Sequence, residues 1–146
     1  MTIGRALLDV NVLLALAWPN HLHHDTARAW FRRNAHQGWS TTPITESGFV
    51  RISSNPKVFD DAVTPRDAVQ MLIALRNKGA HQFWEDATEF SQISPEWLIG
   101  LAGYRQVTDL HLLHLASSRK GRLVSFDSRL RALVPSDIGD SLLELL

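Results

Sequence analysis

The sequence predicts an α/β fold, a mainly parallel central sheet with helices on both faces. Apolar runs of strand length alternate with helical stretches along the whole chain, and strands separated by helices join into parallel sheets through right-handed crossovers. Helix starts are announced three times by a hydroxyl residue followed by proline, at Thr42-Pro43, Thr64-Pro65 and Ser94-Pro95. There the hydroxyl caps and the proline takes the first helical position. No repeat, low-complexity tract or Gly/Ser linker divides the 146 residues, of which 45% are apolar. Residues 1–146 therefore read as one domain, large enough to bury ~70% of its unfolded surface.

Ala6-Leu7-Leu8 is a buried strand ended by Asp9, and residues 11–18 form a short helix stopped by Pro19. Ala27, Trp30, Phe31 and Ala35 recur at helical spacing, which predicts a second helix over 22–37 ended by Gly38. A strand over 39–42 leads into a helix over 43–53 that Asn55-Pro56 closes. The next helix runs from Pro65 through Asn77, with Gly79 just beyond it. A strand over 81–84 and a helix over 95–102 continue the alternation. Thr108 caps a helix through Arg119, Gly121 breaks it, and residues 122–125 form a strand. Asp127 or Ser128 opens a short helix through Leu133, and residues 141–144 supply a final edge strand.

Fifteen Lys and Arg balance fifteen Asp and Glu, so no bulk basic field argues for a nucleic-acid partner. The absence of cysteine excludes a disulfide scaffold, a thiolate zinc site and a cysteine nucleophile, and makes a reducing cytoplasm the expected location. The apolar run 12–18, with Ala15-Leu16-Ala17 imitating a signal-peptidase site, is far shorter than the ~20 residues that span a bilayer. Asp9 and Asn11 interrupt the stretch behind it. The expectation is a cytoplasmic protein with no membrane association.

Four carboxylates occupy corresponding places. Asp9 and Asp127 each come directly after a strand, Asp109 opens a helix, and Glu46 lies in the first turn of another. In an open parallel sheet such positions gather at the carboxyl edge, where ligands bind. Four acids packed together stay ionised only beside a cation, and hard oxygen donors suit Mg2+ or Mn2+. An acid in the first turn of a helix is also favoured by the helix dipole alone. That explanation serves Asp109 and Asp127 taken singly, and Glu46 is balanced between the two. It serves Asp9 least, because a carboxylate at the end of an apolar strand is partly desolvated.

Four segments carry a family resemblance: Leu7-Leu8-Asp9-Val10-Asn11-Val12-Leu13-Leu14-Ala15, Thr41-Thr42-Pro43-Ile44-Thr45-Glu46, Gln106-Val107-Thr108-Asp109-Leu110-His111-Leu112-Leu113, and Leu123-Val124-Ser125-Phe126-Asp127. In order and spacing the chain resembles a PIN-domain ribonuclease, specifically the VapC-type toxin of a bacterial type II toxin–antitoxin pair. The resemblance implies the three-layer PIN-like fold and an Mg2+- or Mn2+-dependent endoribonuclease. It implies that Asp9, Glu46 and Asp109 form an acidic metal-binding triad with Asp127 as the fourth acid. Asn11, Ser125 and Thr108 match polar positions beside them, with Ser125 where threonine is commoner. An RNA substrate, a cognate antitoxin and a homodimer are implied as partners.

With the four acids set aside, eleven remain against fifteen bases, a modest positive surface. Arg51, Lys57 and Arg105 lie near the motifs, and Arg119, Lys120, Arg122, Arg129 and Arg131 surround the last long strand; ordinary solvated surface is the simplest reading of most of them. His21, His23, His24 and Asp25 invite reading as a transition-metal cluster, but exposed polar histidine fits their helix face better. His111 and His114 are expected to turn away from Asp109 toward solvent or a partner. The five tryptophans suit core or interface packing, with base stacking the lesser use and Trp18 placed to project at the mouth of a groove. A haloacid-dehalogenase-like phosphatase is disfavoured because Asn11 stands where its second acid belongs, and a receiver domain for want of an acidic pair. The rival from another class is a non-catalytic PIN module that binds RNA or protein, against which the presence of all four acids argues.

Overall fold

The computed structural model describes residues 4–146. Five parallel strands lie in the order β3-β2-β1-β4-β5, with β1 at Ala6–Leu8, β2 at Trp39–Thr41, β3 at His81–Phe83, β4 at Arg122–Ser125 and β5 at Leu143–Leu145. β1 is central because Ala-Leu-Leu is apolar toward both faces, and all three residues are fully buried. In register, Ala6 lies opposite Trp39 and Arg122, Leu7 opposite Leu123, and Thr41 opposite Phe83.

Strand alternation divides the core in two. Ala6, Leu8 and Trp39 pack with α1 (Val10–Ala17), α2 (His24–Asn34), α3 (Pro43–Ser53) and α4 (Pro65–Arg76). Leu7 and Leu123 point the other way, onto α5 (Val107–Ser118) through Leu110 and Leu113. The result is the three-layer α/β arrangement with helices on both faces. Local chemistry sets the helix starts: Thr42 forms a capping box with Thr45, and the Thr64 hydroxyl accepts from the Asp67 amide. At Gly38, φ is 116° and the Arg5 guanidinium lies where a Cβ would sit, reaching the carbonyls of Trp39 and Ala80 at 3.2 and 2.6 Å.

Several expectations are corrected. No α-helix forms over 95–102; only a single 3-10 turn, Pro95–Trp97, is present. The cause is tertiary: Ile93 and Trp97 are drawn into the core beneath α5, while Gly100 rests so closely on the Ala132 carbonyl that a Cβ would come within 2.2 Å. Thr108 is not a cap, because α5 begins at Val107 and Gln106 stands at its N-cap, its own Oε1 accepting from the amides of Ala102 and Gly103. Trp18 does not project; it is 5% exposed, stacks on Phe59 and donates its indole N–H to Ser53 Oγ at 3.1 Å. All five tryptophans are buried. His111 is buried against Asp86 and Phe90, and His114 lies edge-on to Trp97, so both face the 84–103 segment rather than solvent. His24 Nδ1 bonds the Ala15 carbonyl oxygen and His23 stacks on Phe126. Among the described residues, no helix is long and apolar enough to cross a membrane.

Candidate active site

The carboxyl ends of β1 and β4 lie side by side, and the polar residues just beyond them meet there. Asp9 caps α1, its Oδ1 accepting from the Val10 amide at 2.8 Å. Its Oδ2 accepts from Ser125 Oγ at 2.7 Å. Ser125 is fully buried, and its hydroxyl is satisfied in every direction: it donates to Asp9 and accepts from Asn11 Nδ2 at 3.2 Å and from the Asp127 amide at 3.1 Å. Asn11 Oδ1 in turn receives the Phe126 amide at 3.4 Å. A serine two residues before an acid closes this local turn through its side chain, which explains the Ser-x-Asp spacing.

Three carboxylates act on one another. Burial pushes the Asp9 carboxyl above its ordinary range, and the negative charge of Asp127 adds to this, while the bonds from Ser125 and Val10 oppose it. Asp109, half-buried in the first turn of α5, is pushed up to about 6, first by burial and then by the charges of Asp9 and Asp127. Asp127 goes the other way. It receives Arg129 Nε and Nη2, both at 2.9 Å, and these bonds hold its carboxyl below the usual range.

Glu46 stands apart from this trio. Its Oε2 accepts from Thr41 Oγ1 at 2.6 Å and pairs with Arg76 Nη1 of α4 at 3.0 Å. Thr41 Oγ1 is also 2.8 Å from His81 Nε2. Since the hydroxyl proton goes to Glu46, His81 donates, which fixes its Nε2–H tautomer; burial, then Arg76 and Arg5, lower its pKa to about 4 and keep it neutral. Thr108 is exposed and makes none of these contacts.

Of the residues singled out in sequence, the fold thus gathers Asp9, Asn11, Asp109, Ser125 and Asp127, while Glu46 lies on a neighbouring polar column. Among the described residues, no three His, Asp or Glu side chains stand close enough as placed to hold a metal ion. The chemistry of the donors nevertheless fits a hard divalent cation: Asp9 and Asp109 offer carboxylate oxygens whose ionisation is opposed by burial and mutual repulsion, the condition such an ion relieves. Sequence reasoning missed Arg76 and His81, and it quoted Thr41 within a motif without giving it a role. Arg76 lies 30 residues from Glu46 and only the α3–α4 packing unites them. Arg129, by contrast, is two residues from Asp127, and that spacing is a readable cue.

Comparisons with known proteins identify the family. A family model described as "PIN domain" matches residues 6–134. Ribonuclease VapC38 of Mycobacterium tuberculosis is 52% identical over 123 residues, covering 84% of this chain and 85% of the relative. Ribonuclease VapC39 of the same species is 48% identical over 125 residues, covering 86% and 90%. Among solved structures, PAE2754 from Pyrobaculum aerophilum shares the fold at a TM-score of 0.60 and 16% identity, covering 96% of this chain and 83% of that one. The extent of the match and the identity to curated relatives settle the assignment: this chain belongs to the PIN domain family, in its VapC branch.

Proposed function

We propose that the protein is a divalent-metal-dependent endoribonuclease, a single PIN domain over residues 1–146 that hydrolyses RNA phosphodiester bonds as the toxin of a toxin–antitoxin pair. The observation that carries this reading is the convergence of Asp9, Asn11, Ser125 and Asp127 where β1 and β4 end, with Asp109 in the first turn of α5 near enough to feel the charges of Asp9 and Asp127. Asp9 and Asp109 would hold a Mg2+ or Mn2+ ion, which would supply Lewis acidity toward water and phosphate. The chain's own residues position the donors. Ser125 fixes the Asp9 rotamer, Asn11 fixes Ser125, and the wholly apolar β1 behind Asp9 keeps water from its buried side. Glu46 and Asp127 complete the acidic set once released from Arg76 and Arg129.

Titrating Mg2+ and Mn2+ into an RNA-cleavage assay, with Asp9→Asn beside the wild type, tests this reading. Metal-dependent cleavage that the variant lacks supports it, and metal-independent cleavage equal in both would overturn it. A groove of about 580 Å³ between α3 and α4, lined by Val50, Val69 and Leu72 with Glu46 along it, supports the docking of an antitoxin arm. A homodimer is proposed from the family resemblance alone, and light scattering measures it. The cytoplasm, where RNA and antitoxin are made, is the proposed location.

A further inference from the structure

With every tryptophan buried, three aromatic side chains among the described residues remain exposed: Phe83, Phe90 and Tyr104. Two of them carry an arginine. The Arg76 guanidinium carbon lies 5.5 Å from the centre of the Phe83 ring, and that of Arg105 lies 5.7 Å from the Tyr104 ring while its Nε donates to the phenol oxygen at 3.2 Å. Phe90 lacks such a partner and packs edge-on against His111.

The two pairs flank the acids. Phe83 ends β3 and is level with Thr41 of β2, two strands from β1, so it lies about 10 Å across the carboxyl edge from the strand that delivers Asp9. It is joined to the site through Arg76, which spends only Nη1 on Glu46 and keeps the rest of its donor fork open. Tyr104, 81% exposed, begins the 3-10 turn Tyr104–Gln106 that runs directly into α5, whose first turn holds Asp109.

From this arrangement we infer that Arg76–Phe83 and Arg105–Tyr104 are two nucleotide platforms, one on each side of the acids, that select unpaired RNA. The inference rests on the ribonuclease reading. Each ring takes the face of one base, and each arginine reaches the backbone phosphate beside it. Base–aromatic stacking is sequence-tolerant and is open only to bases that are not paired inside a helix. A-form duplex, with its bases enclosed, gains nothing from either ring.

The test uses the full chain carrying Asp9→Asn, to prevent cleavage, and fluorescence anisotropy with three probes: a mixed-sequence single-stranded RNA oligonucleotide, the same strand annealed to its complement, and an abasic version. Phe83→Leu and Tyr104→Leu keep an apolar side chain and remove the π face. Each is expected to weaken single-strand binding about fivefold or more, the lower end of a lost base stack. Phe83→Tyr and Tyr104→Phe are expected to restore parental affinity, and duplex and abasic binding to stay the same in all variants. Leucine variants that bind the single strand as the parent does, or that lose duplex binding equally, would overturn the platforms. So would variants that lose only a co-expressed antitoxin. Metal-dependent cleavage by the otherwise wild-type chain alongside such results leaves the ribonuclease reading standing, whereas a wild type that neither binds nor cleaves RNA removes both.

Discussion

Replacing Asp109 by Asn should stabilise the metal-free protein at neutral pH. The carboxyl is pushed from an ordinary 3.8 up to about 6, so the folded protein holds this proton more tightly than the unfolded chain. Stability is therefore lost as pH rises from about 4 to about 6, and the loss is complete above that window. The interval corresponds to roughly 3 kcal/mol before screening. Asp109 is only half-buried, and solvent reduces the effect to ~1–2 kcal/mol. Asn carries no charge and resembles the protonated acid, so it escapes this penalty. Urea denaturation in chelator should show the variant ~1–2 kcal/mol more stable than the wild type at pH 7.5 and nearly equal to it at pH 4. Saturating Mg2+ should reverse the order, because the wild type gains ~2.7 kcal/mol at a hundred times Kd and the variant much less. A difference between variant and wild type that is the same at both pH values would refute the argument.

Three further outcomes are expected. Arg129→Gln should raise the Asp127 pKa toward its ordinary value and strengthen Mg2+ binding severalfold, measured by titration calorimetry, because the arginine no longer competes for the carboxylate. Asp9→Asn and Asp109→Asn should abolish RNA cleavage in a folded protein, while Asp127→Asn, at a position that also caps the 3-10 turn Ser128–Leu133 through the Arg129 amide, should reduce it less; cleavage rates with thermal melts in chelator check this. Ser53→Ala should cost ~1–3 kcal/mol in urea melts, since it strands the buried indole N–H of Trp18.

Local chemistry governs the features that are legible in the sequence. The span of α3 and β4, the caps at Thr42 and Thr64 and the apolar strand before Asp9 arise from short-range patterns, and the fold bears them out. The final strand begins two residues later than its pattern predicts, at Leu143–Leu145 instead of 141–144, because a 3-10 turn over Asp140–Leu142 leads into it. Ser94-Pro95 carries the same helix-start chemistry as Thr42-Pro43, yet only the latter opens a helix. The difference lies in what each start engages: the Thr42 hydroxyl caps α3, whose Phe49 is fully enclosed, whereas the Ser94 side chain makes no cap and Ile93 and Trp97 on either side of Pro95 are drawn under α5 instead. At the site, Ser125 and Asn11 are readable as neighbours of Asp9. The grip of Arg76 on Glu46 is not, since nothing in either helix alone announces the other.

The bond from Ser125 to Asp9 spans 116 residues. During synthesis at ~5–20 residues per second, Asp9 waits roughly 6–23 s before Ser125 even exists. β1 meanwhile has one flank open, for its partner β4 is among the last strands made. The nascent chain is thus obliged to emerge with its acids scattered, and the contact between Asp9 and Ser125 closes only after β4 has been made. Connectivity itself sets a delay between the making of the first acid and the closing of its surroundings.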